Sequence, residues 1–125
     1  MNGYFNFGDT GNNYTKEDEE SEHFKKTTED LNALKLTSFT NLVVCKFKLK
    51  EHQSVVAITD QIIEMAPNHQ KALFFRGKSQ IQTEDYDEAI KTLTHLTEIA
   101  SDNNDFKTEL AKAKQAKANA MKKQQ

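Results

Sequence analysis

Two consecutive stretches of this chain can be laid one over the other without a gap. "LTSFTNLVVCKFKLKEHQSVVAITDQIIEMAPNH" (36–69) and "QKALFFRGKSQIQTEDYDEAIKTLTHLTEIASDN" (70–103) are equal in length. Leu42 falls on Arg76, Val43 on Gly77, Val55 on Ala89, Ile62 on Leu96 and Met65 on Ile99. In both, an apolar helical pattern runs into a polar turn, Lys50-Glu51-His52 or Glu84-Asp85, and a second helical pattern follows. Pro67 stands where the second helix of the first stretch must stop, because it lacks an N–H and clashes with the preceding turn. A fixed period of this length implies a unit that cannot bury its apolar face alone and stacks on its neighbours.

Helix–turn–helix units of this length follow the tetratricopeptide (TPR) period, about 34 residues. The predicted fold class is therefore all-α, an α-α superhelix of TPR hairpins closed by a C-terminal capping helix. "RGKSQIQTEDYDEAIKTL" sets Gly77, Tyr86 and Ala89 at TPR spacing, and the two small residues would let the helices approach closely. The first unit has Val43 and Val55 there, which predicts a wider hairpin or about 1–3 kcal/mol of overpacking. Residues 104–125 are rich in Ala, Lys, Glu and Gln, all good helix formers. Phe106, Leu110 and Ala113 make the stripe by which this capping helix would dock, with fraying expected after about residue 118. Residues 1–35 read as an eroded first repeat with a flexible acidic segment at 10–22, and a helix is expected from about Thr27 into the first full unit.

At 125 residues the chain suits one small domain, and its net charge of −2 gives no argument for nucleic acid. An acidic front (Asp9, Glu17, Asp18, Glu19, Glu20, Glu22) and a basic tail (Lys107, Lys112, Lys114, Lys117, Lys122, Lys123) read as solvated faces. The basic tail is also a weak candidate for a calmodulin target. Cys45, the single cysteine, excludes an internal disulfide and is expected to be a small buried core residue. No apolar run approaches a membrane span, so a cytoplasmic chain without membrane contact is expected.

No constellation for catalysis emerges. Cys45 and His52 lack a third group to orient the base, and His23, His52, His69 and His95 lack metal-ligand spacing. "DTGNNYTKEDEE" resembles a calcium loop only faintly, since Tyr14 sits where the turn needs Gly. No cofactor is expected.

"LTSFTNLVVCKFKLKEHQSVV", "APNHQKALFFRGKSQ" and "EDYDEAIKTL" resemble the C-terminal TPR domain of FKBP-type immunophilins, most of all the member anchored in the mitochondrial membrane. The resemblance covers about residues 36–120, with "NGYFNFGD" as a remnant of the first repeat. It implies a cochaperone module whose concave groove grips the C-terminal carboxylates of Hsp90 or Hsp70 with a clamp of Lys, Asn and Arg. Carried over by position, Asn2 and Asn41 match the clamp asparagines and Lys71 the third-repeat lysine. Phe75 stands where the clamp arginine belongs, and no residue matches the first lysine. Arg76 is one residue further along, about 100° around a helix. The resemblance thus implies peptide contact through Asn2, Asn41, Lys71 and Phe75. Arg76 and Lys78 would lie off that line, solvated or paired with acidic neighbours. The prolyl isomerase domain of such proteins has no counterpart here. Two functions fit: a module that binds a peptide such as a chaperone C-terminus through a degenerate clamp, or a degenerate repeat serving as scaffold in a larger assembly.

Overall fold

The computed structural model describes residues 22–123, with side chains from Lys25 onward. Asn2, the calcium-like stretch and all but the last residue of the expected acidic segment lie outside it. Five helices make up the described residues: α1 (Glu22–Lys48), α2 (His52–Met65), α3 (Gln70–Gln82), α4 (Tyr86–Ile99) and α5 (Asn104–Lys123), with no strand among them. The fold is all-α, a TPR-like repeat of helical hairpins. α1 begins at Glu22, earlier than the expected start near Thr27. The stretch from Glu22 to Lys48 holds no Pro or Gly that would break a helix.

The chain divides into two compact units, Met1–Lys35 and Leu36–Gln125. In the first, residues 22–35 are helical and Leu31 and Leu34 are exposed. The second holds the repeat, and there the backbone reproduces the sequence period at each joint. α2 runs from His52 to Met65 and α4 from Tyr86 to Ile99, so both ends are displaced by the same repeat length. The turns before them place Lys50 at φ 62° and Glu84 at φ 65°, left-handed positions filled without glycine. Glu51 N–H donates to the Lys46 carbonyl at 3.0 Å, and Asp85 N–H to the Gln80 carbonyl at 2.8 Å. The helix starts match as well. His69 Nδ1 accepts from Ala72 N–H and Asn103 Oδ1 from Phe106 N–H, both at 3.2 Å. α5 starts at Asn104, one repeat after Gln70 of α3, and occupies the place of another first helix.

Two apolar clusters fill the stack. Val43, Val55, Ile62 and Ala72 form one, flanked by Leu36, Phe39, Phe47 and Phe75. Leu73, Ala89, Leu93, Leu96, Phe106 and Ala113 form the other, so the α5 stripe docks as expected. Val43 and Val55 are both fully buried, and the two hairpins distribute their bulk differently. A Cβ on Gly77 would fall 2.5 Å from Cγ and Cδ2 of Leu93. One repeat earlier the corresponding pair is Val43 and Thr59, larger on the first helix and smaller on the second.

Cys45 is exposed rather than buried. Its counterpart one repeat on, Ser79, is fully buried, its Oγ 3.3 Å from His52 Nδ1 of the preceding hairpin.

Candidate functional site

The three first helices, α1, α3 and α5, are joined by a row of aromatic rings. Phe47 of α1 meets Phe75 of α3 edge to face, with centroids 5.1 Å apart. Phe75 neighbours Phe74 at 6.0 Å, and Phe74 meets Phe106 of α5 at 5.1 Å. Lys78 Nζ lies over this row, 4.9 Å from the Phe74 centroid, 5.0 Å from Phe47 and 6.0 Å from Phe75. Residues three and four apart share a helix face, which brings Lys78 over Phe74 and Phe75. An ammonium on a ring face gains about 0.5–1 kcal/mol where solvent reaches it. Lys78 is therefore neither free nor ion-paired, as the sequence suggested, but seated on aromatic carbon beside the expected groove face.

Arg76 does follow the expectation. Its guanidinium pairs with Asp60 of α2 at 2.6 Å. The buried Gln80 amide, oriented as its surroundings require, accepts from Arg76 Nε at 3.0 Å and donates to Thr92 Oγ1 at 2.9 Å and to the Glu88 carbonyl at 3.2 Å. Arg76 thus ties α2 to the α3–α4 hairpin, pointing away from the Lys71 face.

Of the residues singled out from sequence, Lys71 is exposed and has no ion pair among the described residues. Phe75, one turn on, is half-buried and shares its face. Asn41 is exposed on α1 in the register of Phe75, one repeat earlier, and makes no hydrogen bond or ring contact with Lys71 or Phe75. Asn2 is outside the described residues. Glu109 escapes the sequence reading, although one further repeat step from Phe75 leads to it. It is largely buried on α5 and accepts from Lys112 Nζ at 3.1 Å. Asp105 follows Lys71 by the same step. The face therefore grades from Asn41, Lys71 and Lys78 on α1 and α3 to carboxylates on α5, and an anionic ligand would be favoured on the α1–α3 side.

His52 packs edge-on against Phe47 at 5.2 Å, His69 caps α3 and His95 Nε2 lies 3.0 Å from Asn68 Oδ1. No group of three metal-ligating side chains occurs among the described residues, and none of their helices is long and apolar enough to cross a membrane.

No protein-family model matches the chain. It is 28% identical over 96 residues to mouse peptidyl-prolyl cis-trans isomerase FKBP4, and 27% identical over 96 residues to the human protein of that name. The match takes in 77% of this chain but 21% of either relative, so the chain spans about a fifth of their length. This likeness, together with the all-helical repeat, fits a helical region of an FKBP-type protein.

Proposed function

We propose that the chain is a protein-interaction module of an immunophilin-like cochaperone, holding an extended acidic peptide on the α1–α3 side of its first-helix face. The observation that carries this reading is the open face shared by Lys71 and Phe75, with the Phe75 ring braced by Phe47 and Phe74. Lys71 would pair with a carboxylate, Asn41 would bond the peptide backbone and Phe75 would pack against an apolar side chain. The resemblance implies a further contact through Asn2, which lies outside the described residues. A chaperone C-terminal tail of the Hsp90 or Hsp70 kind has suitable chemistry, and the likeness to FKBP4 supports a cochaperone setting. The resemblance to the mitochondria-anchored member rests on residues 36–120. The module acts by binding, not by isomerisation.

The clamp is degenerate. Phe75 replaces a bidentate donor, Arg76 is engaged with Asp60 and Gln80, and Glu109 sits one register along. Binding of a free acidic C-terminus is therefore expected to be weak. Calorimetric titration with such a peptide tests this. Lys71→Ala should lower affinity about tenfold, the loss of one charge-assisted bond. Phe75→Arg should tighten the complex by about 1–3 kcal/mol by restoring a forked donor. Tight wild-type binding that survives Lys71→Ala overturns the mapping. Glu109 favours a second reading, a scaffold repeat with no chaperone-tail recognition, and absence of binding even in Phe75→Arg would select it.

A further inference from the structure

At the α1–α2 turn, next to the aromatic row, Phe47, Lys48, Lys50, His52 and Gln82 line an open depression of about 420 Å³. Its lining carries two lysines and a histidine and no carboxylate. Glu51, the nearest acid in sequence, is taken by Lys46 Nζ at 2.9 Å. Lys48 and Lys50 are exposed and have no ion pair among the described residues.

The repeat supplies a control within the same molecule. A depression at the α3–α4 turn is lined by Glu84, Tyr86, Ala116, Asn119, Ala120 and Lys123, of which Glu84, Tyr86 and Ala116 are the counterparts, one repeat on, of Lys50, His52 and Gln82. Asp85, Asp87 and Lys117 stand beside it, Lys117 paired with Asp87 at 2.6 Å, so its cations come from α5 and not from the turn. Lys50 and Glu84 share the same left-handed backbone, and the last turn of α3 carries no cation where α1 ends on Lys46 and Lys48. Neither the turn nor the helix end therefore demands positive charge. The basic lining of the first depression is free to serve a ligand.

We infer that this depression is a second contact point for an acidic partner peptide, receiving a glutamate or aspartate side chain upstream of the residue held at Lys71. The inference rests on the proposed groove for its spacing, but the depression itself stands apart from it. From Lys71 to Gln82 along α3 is about 16 Å at 1.5 Å per residue, which an extended peptide covers in about five residues at ~3.3 Å each. Lys78 lies between, over the Phe74, Phe75 and Phe47 rings, so cations on an aromatic floor line the whole path. An acidic peptide would lay carboxylates on the cations and aliphatic carbon on the rings.

Two synthetic peptides of about eight residues test this by titration, both with a free acidic C-terminus and one with a further glutamate about five residues upstream. The double substitution Lys48→Gln/Lys50→Glu installs the residues found one repeat later, Gln82 and Glu84, and so suits the backbone. It should weaken the two-acid peptide about tenfold and leave the one-acid peptide unchanged. The same charge change at Lys122 and Lys123 should affect neither. Equal weakening of both peptides by Lys48→Gln/Lys50→Glu, or of neither, overturns the inference, as does the same selective loss from the Lys122/Lys123 control. An amidated copy of the two-acid peptide separates the two sites by NMR. Shifts at Phe47, His52 and Gln82 without shifts at Asn41 and Lys71 uphold the depression while the groove reading falls. No shift at Phe47, His52 and Gln82 with any peptide overturns it.

Discussion

Gly77 and Leu93 in one hairpin, Val43 and Thr59 in the other, solve the same packing problem in two ways. Gly77→Val alone forces a branched side chain into space held by Leu93 Cγ and Cδ2, and should cost about 1–3 kcal/mol. Gly77→Val with Leu93→Thr copies the first hairpin and should recover much of that loss. Denaturant unfolding of the two single variants and the double one measures this coupling, and simple additivity would show that the exchange of bulk is incidental. Arg76 offers a second residue-scale prediction. Arg76→Ala strips a partner from Asp60 and from the buried Gln80 oxygen, so it should lower stability by about 1–2 kcal/mol. Peptide affinity should be unchanged, because the guanidinium turns away from Lys71. A calorimetric titration beside a melting curve separates the two effects.

The elements are largely legible in the sequence because their signals are local. Pro67, the polar turns and the repeat period mark where α2, α3 and α4 begin and end, and "NDFKTELAKAK" marks α5. What escapes depends on neighbours distant in sequence. Lys78 reads as solvated until Phe47, on another helix, supplies a third ring. Cys45 reads as core because its own helix is apolar there, yet it is exposed, whereas Ser79 one repeat on is buried beside His52, a residue distant in sequence. Of the groove, Lys71 and Phe75 can be placed on one face by spacing alone, whereas the carboxylates of α5 need the period carried one step further. The turns carry their own prediction. Lys50 and Glu84 sit at positive φ, where a Cβ is strained and glycine is not. Lys50→Gly and Glu84→Gly should each raise stability by about 1 kcal/mol, read as a shift in the denaturation midpoint. A loss at either position would mean its side chain has a compensating contact.

Across Leu36–Gln125, stability should follow the stack. α3 packs on α2, α4 and α5, whereas α5, the last helix, packs on α3 and α4. In a linear array each unit is stabilised by its immediate neighbours, so amide exchange should be slowest in α3 and α4 and faster toward α5. Uniform protection along the stack would point to a single cooperative unit. Such arrays face a hazard of their own: consecutive hairpins are built alike, and during folding a helix can collapse onto the wrong partner. Here the wrong pairings do not fit. Val43 of α1 against Leu93 of α4 would bring two bulky side chains to one spot, and Gly77 of α3 against Thr59 of α2 would leave a void. The difference in size between the two hairpins thus acts as a key, giving each second helix one first helix it can close upon.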